Sequence, residues 1–361
     1  MDLLSLYGWD RLPALPELDP SSPLVPARVV AQERDRWRVI AARGELLAEA
    51  SGRFRRAATS PLDLPLVGDW VLVDPPGPAA GAGPCLVQAV LPRRSLLARQ
   101  RAGRATLAQG IAANVDLALI VTAPDRDLAP ARLERYQALL AEAGVRPALL
   151  LNKTDLIDDG PQLAAQLGEA VPGLPVLPVS ALAGEGLDAL RALLAPGETV
   201  AFLGSSGVGK SSLVNRLLGD ARQETSPVRD CDRRGRHTTT RRELFALPGG
   251  ALLLDTPGLR EVGPWSGDGL GQTFEELDQL SAACRFRDCT HEHEPGCAVL
   301  AAAEAGEVDP DRLESFWKLR RELLRRASLQ TRRARYEARR QDRRQRLDVR
   351  RKIAAKDPGW E

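Results

Sequence analysis

The segment Gly204-Ser205-Ser206-Gly207-Val208-Gly209-Lys210-Ser211 constrains this chain more than any other feature. Glycine, four residues, then Gly-Lys-Ser is the spacing of a phosphate-binding loop. The apolar run Thr199-Val200-Ala201-Phe202-Leu203 precedes it, and Ser212-Leu213-Val214-Asn215-Arg216-Leu217-Leu218 follows with helical spacing, so strand, loop and helix come in the required order. The glycines let backbone N–H groups converge on phosphate oxygens, where the helix dipole also favours negative charge. Lys210 would reach the β- and γ-phosphates, and the Ser211 hydroxyl would ligate Mg²⁺.

A second tetrapeptide, Asn152-Lys153-Thr154-Asp155, ends the apolar strand Pro147 to Leu151, where the ligand loops of parallel sheets belong. A carboxylate there accepts both N1–H and N2–H₂ of guanine, whereas adenine offers no such donor pair. Ser180-Ala181-Leu182, after the strand Val176 to Val179, matches a segment that supports the guanine O6 from its backbone. Asp255-Thr256-Pro257-Gly258 closes the run Ala251 to Leu254; it supplies a carboxylate for the Mg²⁺ shell and the Gly258 N–H for the γ-phosphate. Between them, Gly235-Arg236-His237-Thr238-Thr239-Thr240 is a candidate first switch. One of Thr238, Thr239 and Thr240 would complete the Mg²⁺ shell, with Thr239 the choice here; three threonines can also simply favour a strand. Leu259 stands where a water-orienting glutamine is found in other GTPases, so intrinsic hydrolysis is expected at about 10⁻⁴–10⁻² s⁻¹. His237 is the candidate catalytic group, since an imidazole titrates near neutrality, although it can equally serve only to pack the switch.

The base-recognition pieces precede the phosphate loop by about fifty residues, the reverse of the usual order. A preserved sheet with relocated chain ends follows, and the switch loop after Asp255 then runs straight into the C-terminal region. Around this α/β unit lie other textures. Residues 1–24 read as a loose, Pro- and Leu-rich arm, and 25–98 carry four or five short strands that suggest a small closed barrel. Past 269 the chain turns helical around Cys284, Cys289, His291 and Cys297, a C-x4-C-x-H-x5-C cluster suited to one closed, structural Zn²⁺ site. On spacing alone His293 can replace His291. Cys85 and Cys231 lie apart and read as ordinary cysteines.

The whole chain of 361 residues has a net charge of only +2, which argues against a uniformly basic nucleic-acid binder. The average conceals a division: residues 320–352 carry fifteen basic and four acidic side chains, a net +11 that leaves the remainder near −9. A helix this polar all round is either a solvated arm or a phosphate-backbone ligand. No run approaches a membrane span, no secretory signal opens the chain, and five cysteines do not make a disulfide scaffold, so a cytoplasmic, membrane-free protein is expected.

Taken together, the order of these motifs and the cysteine cluster resembles the circularly permuted, ribosome small-subunit-dependent GTPases (the RsgA or YjeQ family) over roughly residues 25 to 330. The resemblance implies a multidomain chain: an OB-fold barrel at 25–98, a permuted GTPase domain at 99–268, a zinc-finger domain at 269–330 and a basic tail at 331–361. It assigns zinc to Cys284, Cys289, His291 and Cys297, and the family's catalytic histidine to His237. It implies action late in maturation of the 30S subunit on 16S rRNA, with ribosome-stimulated hydrolysis of GTP to GDP coupled to release; a monomer is expected. The arginine-rich approach at 228–234 and the long tail go beyond the family pattern. The competing expectation is a guanine-nucleotide-gated RNA-binding or chaperone module in which hydrolysis is incidental. A permuted GTPase of the large-subunit assembly type explains neither the cluster nor the barrel.

Overall fold

The computed structural model describes residues 2–12, 22–75, 83–101, 104–124, 128–219, 242–255, 269–325 and 327–328, with only the backbone course of 99–101, 104–108 and 255. The chain opens with a short helix, α1 (Leu3–Leu6), and a 3-10 turn at Trp9–Arg11. Strands β1 (Val25–Glu33), β2 (Arg36–Ala41) and β3 (Gly44–Ala50) follow, then α2 (Gly52–Ala57), β4 (Trp70–Asp74) and β5 (Cys85–Val90). They pair in the order β1-β2-β3-β5-β4, and β1 meets β4 again to close a five-stranded barrel. With α2 between β3 and β4, this is an OB-fold. Alternate residues fill it: Ala27, Val29, Trp37, Val39, Val71, Val73, Cys85 and Val87 are all buried together.

Residues 2–12 are not the loose arm that proline and leucine content suggested. Leu4 is buried with Trp70 and Leu91, the Trp9 ring meets Trp70 edge-on at 4.8 Å, and Arg11 pairs with Glu198 at 3.1 Å. Apolar side chains scattered without a period have found a common partner at the barrel's end. Residues 13–21, and the tail beyond 328, lie outside the described residues.

A hairpin of β6 (Leu96–Arg101) and β7 (Arg104–Ala113) links barrel to α/β unit as a separate two-stranded sheet. Strand β6 crosses 98–99, where the sequence reading drew a boundary. Next come β8 (Leu117–Thr122), α3 (Pro130–Glu142), β9 (Arg146–Leu151), α4 (Gly160–Ala170), β10 (Val176–Pro178), α5 (Leu187–Ala192), β11 (Thr199–Leu203) and α6 (Lys210–Leu218). Strands β12 (Glu243–Ala246) and β13 (Leu252–Asp255) complete the order β10-β9-β8-β11-β13-β12. All neighbours are parallel except β12, which runs antiparallel to β13 and was not foreseen from the sequence. Successive strand residues alternate between two buried layers. Ile120, Leu149, Leu151, Ala201 and Leu203 face α3 and α4, while Leu119, Val121, Leu150, Val200 and Phe202 face α5 and α6. Burial on both faces is why these strands read as unbroken apolar runs. The strand feeding the phosphate loop is central, yet strands bearing the Asn152 and Ser180 motifs precede it in the chain, the order expected of a circularly permuted sheet.

Barrel and α/β sheet are continuous, since Ala31 of β1 pairs with Glu243 of β12, and Arg38 bridges to Glu243 at 2.7 Å. Fully buried Arg28 crosses the same seam, donating to Thr199 Oγ1 at 2.9 Å and stacking on Trp70; burial pushes its guanidinium down to about 10.

The C-terminal part is helical: α7 (Leu270–Thr273), α8 (Glu275–Ser281), α9 (Ala298–Glu304) and α10 (310–325) surround Phe274, Leu277, Val299, Leu313 and Leu319. It is fastened to α3 by Arg312, which donates to Glu134 at 2.8 Å and to Thr273 O at 2.7 Å, pairs with Glu276, and stacks on Phe274. Glu134 is 2% exposed, and burial raises its carboxyl despite the opposing charge of Arg312. Removing one partner of such a pair strands the other, so Arg312→Met is expected to destabilise the protein by about 3–5 kcal/mol. A carboxyl raised in the folded state binds protons there more readily than in the unfolded chain, so stability falls as pH rises. Arg312 holds that pKa down, so its removal raises it further. The variant then gains more than the parent as pH falls from neutrality into the carboxylate range, and the loss should shrink, which urea unfolding at several pH values checks.

Candidate nucleotide site and metal cluster

The four motif loops leave the same end of the sheet. Asn152 follows β9, Ser180 follows β10, Gly204 follows β11, and Asp255 ends β13. Loops beyond the carboxyl ends of parallel strands form the natural ligand crevice of such a sheet.

One side chain ties three of them together. Asn152, 1% exposed, donates from Nδ2 to Val208 O at 2.8 Å and accepts at Oδ1 from Ala181 N at 3.0 Å. Gly209 sits over this amide with φ +94°, and a Cβ there would lie 2.1 Å from Asn152 Nδ2, so only glycine fits. Lys153 adopts a left-handed conformation, φ 65°, that turns Thr154–Leu156 into a 3-10 turn and brings Asp155 against Ser180. The Ser180 hydroxyl donates to Asp155 Oδ1 and accepts from Ala183 N at 2.9 Å. From α6, Arg216 donates to Ala181 O and Leu182 O, each at 2.8 Å, and fastens the phosphate helix to the base loop. Lys210 Nζ donates to Gly204 O at 2.8 Å and to Ser205 O. Ser206 and Gly207 are exposed at the loop's crest, and Ser211 and Ser212 are exposed in the first turn of α6.

The structure thus gathers Asn152, Lys153, Thr154, Asp155, Ser180, Ala181 and the whole 204–212 segment around one crevice. Asp255 is placed by its backbone alone, at the end of β13. His237, Thr238, Thr239, Thr240, Gly258 and Leu259 lie outside the described residues. Sequence reasoning missed Arg216, whose position on α6 carries no pattern distinguishing it from any other exposed helical arginine.

The second site is the cysteine cluster. Ligand atoms of Cys284, Cys289, His291 and Cys297 all lie within 4.8 Å of one another. Cys284 Sγ is 3.9 Å from Cys297 Sγ, and His291 Nδ1 is 3.6 Å and 3.4 Å from these two sulfurs. His293 is exposed and outside the group, which separates it from His291. The loop is held by Glu294, whose carboxylate accepts from the backbones of Thr290, Glu292 and His293. Cys297 caps α9 through Leu300 N at 3.4 Å. Burial and the charge of Arg320 lower the His291 pKa, a shift toward the neutral ring that a metal ligand needs. Burial, with the neighbouring Cys284 and Cys297 thiols, pushes the Cys289 thiol up to about 11. These four residues can hold a metal ion.

Barrel, permuted α/β sheet and phosphate-loop crevice define a P-loop nucleotide-binding protein that also carries a Cys3His cluster able to hold a metal ion. A model of the RsgA GTPase family matches residues 90–265. Small ribosomal subunit biogenesis GTPase RsgA of Opitutus terrae is 46% identical over 88% of this chain and 89% of its own length. The protein of that name from Streptomyces coelicolor is 44% identical over 94% and 91%. Among solved structures, YjeQ from Thermotoga maritima superposes with a TM-score of 0.62 at 26% identity, covering 83% of this chain and 99% of that one. YloQ, described as a circularly permuted GTPase, shares the fold with a TM-score of 0.60 at 23% identity, covering 87% and 99%. The chain belongs to the RsgA GTPase family, and it is a GTPase.

Proposed function

We propose that this GTPase acts on the small ribosomal subunit late in its maturation, gripping 16S rRNA in the GTP form and letting go after hydrolysis to GDP. The observation that carries this is 44–46% identity, over most of both chains, to relatives named for small-subunit biogenesis. The division of charge supports it: a segment of net +11 on an otherwise acidic chain suits a phosphate-backbone contact confined to one region. Work on this subunit would place the protein in the cytoplasm as a monomer; among the described residues no helix is long and apolar enough to cross a membrane.

Asn152, Asp155, Ser180 and Ala181 hold the base; Gly204 to Ser212, with Gly258, hold the phosphates; Ser211, Asp255 and Thr239 complete the Mg²⁺ shell, and His237 assists hydrolysis. The metal of the cysteine cluster is Zn²⁺. With Zn–S near 2.3 Å, a tetrahedral site sets sulfurs about 3.8 Å apart, which the 3.9 Å between Cys284 and Cys297 matches. The site has no open position and its role is structural.

Turnover measured with and without purified 30S subunits tests the reading. Stimulation well above the slow rate expected of an unassisted GTPase supports it; an unchanged rate contradicts the coupling to the ribosome.

A further inference from the structure

Helix α3 touches the phosphate loop at one end and the C-terminal module along its length. Arg132, in its first turn, donates from Nη2 to the Ser205 hydroxyl. Two residues on, Glu134 is buried against Arg312 at 2.8 Å, and Arg135 pairs with Glu322 at 2.6 Å. Further along, Gly269 is pressed onto the helix so closely that a Cβ there would stand 2.0 Å from Ala138 O. These contacts leave α3 little freedom to slide or rotate without moving the module.

Ser205 is held from two sides, by Arg132 at its hydroxyl and by Lys210 at its carbonyl. Lys210 is also the residue that must turn toward the β- and γ-phosphates. When it does, Arg132 is the cation that keeps its hold on Ser205. We propose that Arg132 is a positioning residue for the phosphate loop, acting through Ser205, and that the metal-bearing module sets its place through Glu134 and Arg312. The inference rests on the nucleotide site, not on the ribosomal partner, so its test contains no ribosomes.

The experiment is a double-mutant cycle on the full-length, metal-loaded protein, reading affinity for GDP and for a fluorescent non-hydrolysable GTP analogue, and kcat and KM for GTP. Arg132→Ala and Ser205→Ala should each weaken both nucleotides about tenfold, the worth of one charge-assisted hydrogen bond. The double variant should be no worse than either single one, because both remove the same contact. KM should rise while kcat stays within about twofold, as expected when uniform binding is lost. Arg132→Lys, which keeps one donor, should recover most of the loss. Glu134→Gln, which preserves shape, should shift affinity in the same direction and add nothing in the Arg132→Ala background.

Multiplying losses, or Ser205→Ala binding like the parent, overturns the proposal. So does a fall in kcat at unchanged GDP affinity, which would mean direct contact between Arg132 and the transferring phosphate. Glu134→Gln without effect, or with an effect additive to Arg132→Ala, overturns the module's part. Absent stimulation by 30S subunits would contradict the proposed function while leaving this cycle intact.

Discussion

Chelation of the zinc proposed for the cysteine cluster is expected to unfold the segment from Cys284 to about Val308, while nucleotide binding persists, weakened no more than about tenfold through the slackened hold of α3. The module's core is small, and Cys289 and Cys297 are themselves part of it beside Phe274, Leu277 and Val299. Structural zinc supplies about 10–16 kcal/mol in peptides with little core of their own. Without an ion, three thiols and an imidazole would converge with no shared cation, and burial pushes the Cys289 thiol up to about 11. The backbone gives only partial compensation: against the cost of burial, N–H groups of Ala298 and Val299 bring the Cys284 thiol below its ordinary value. Hydrogen exchange before and after chelation at neutral pH measures this directly. Protection should vanish through α9 and survive in β8, β9 and β11, and the cluster thiols should become reactive while Cys85, sealed in the barrel at 1% exposure, does not. Undiminished protection in α9 would mean that the module folds without metal.

The second large effect concerns the base. Asp155→Asn should weaken GDP by about a hundredfold and admit xanthosine diphosphate instead, since an amide donates to the xanthine O2 where the carboxylate accepted from the guanine N2–H₂. The substitution spares the surrounding architecture. Asn retains an oxygen for the Ser180 hydroxyl, and Asn152 still joins Val208 to Ala181. Competition of the two diphosphates for the variant provides the measurement; equal weakening of both would mean that the loop had collapsed and not changed its specificity.

Much of this site was legible from sequence because its chemistry sits in short contiguous segments. A phosphate loop needs glycines at fixed steps, and Gly209 shows why: Asn152 occupies the space any side chain would need. The cysteine cluster was equally plain, although spacing alone left His293 open; the family resemblance chose His291, and the structure turns that ring inward. Strand β12 escaped notice because Glu243–Ala246 is only four residues long, too short to show a period. Contacts that join distant segments left no trace either. Arg132 meets Ser205 across 73 positions, and Arg312 meets Glu134 across 178, so neither has a local signal. The N-terminal residues misled for a related reason: Leu4 and Trp9 sit in single turns too short to show a period, and their partners lie far away on the barrel.

The most direct test of the account is retention of purified 30S subunits on the immobilised full-length protein, loaded with GDP or with a non-hydrolysable GTP analogue, across a salt series. The account predicts tighter retention with the GTP analogue, and retention in either state that falls steeply with salt as phosphate contacts are screened. Equal retention in the two nucleotide states would contradict it.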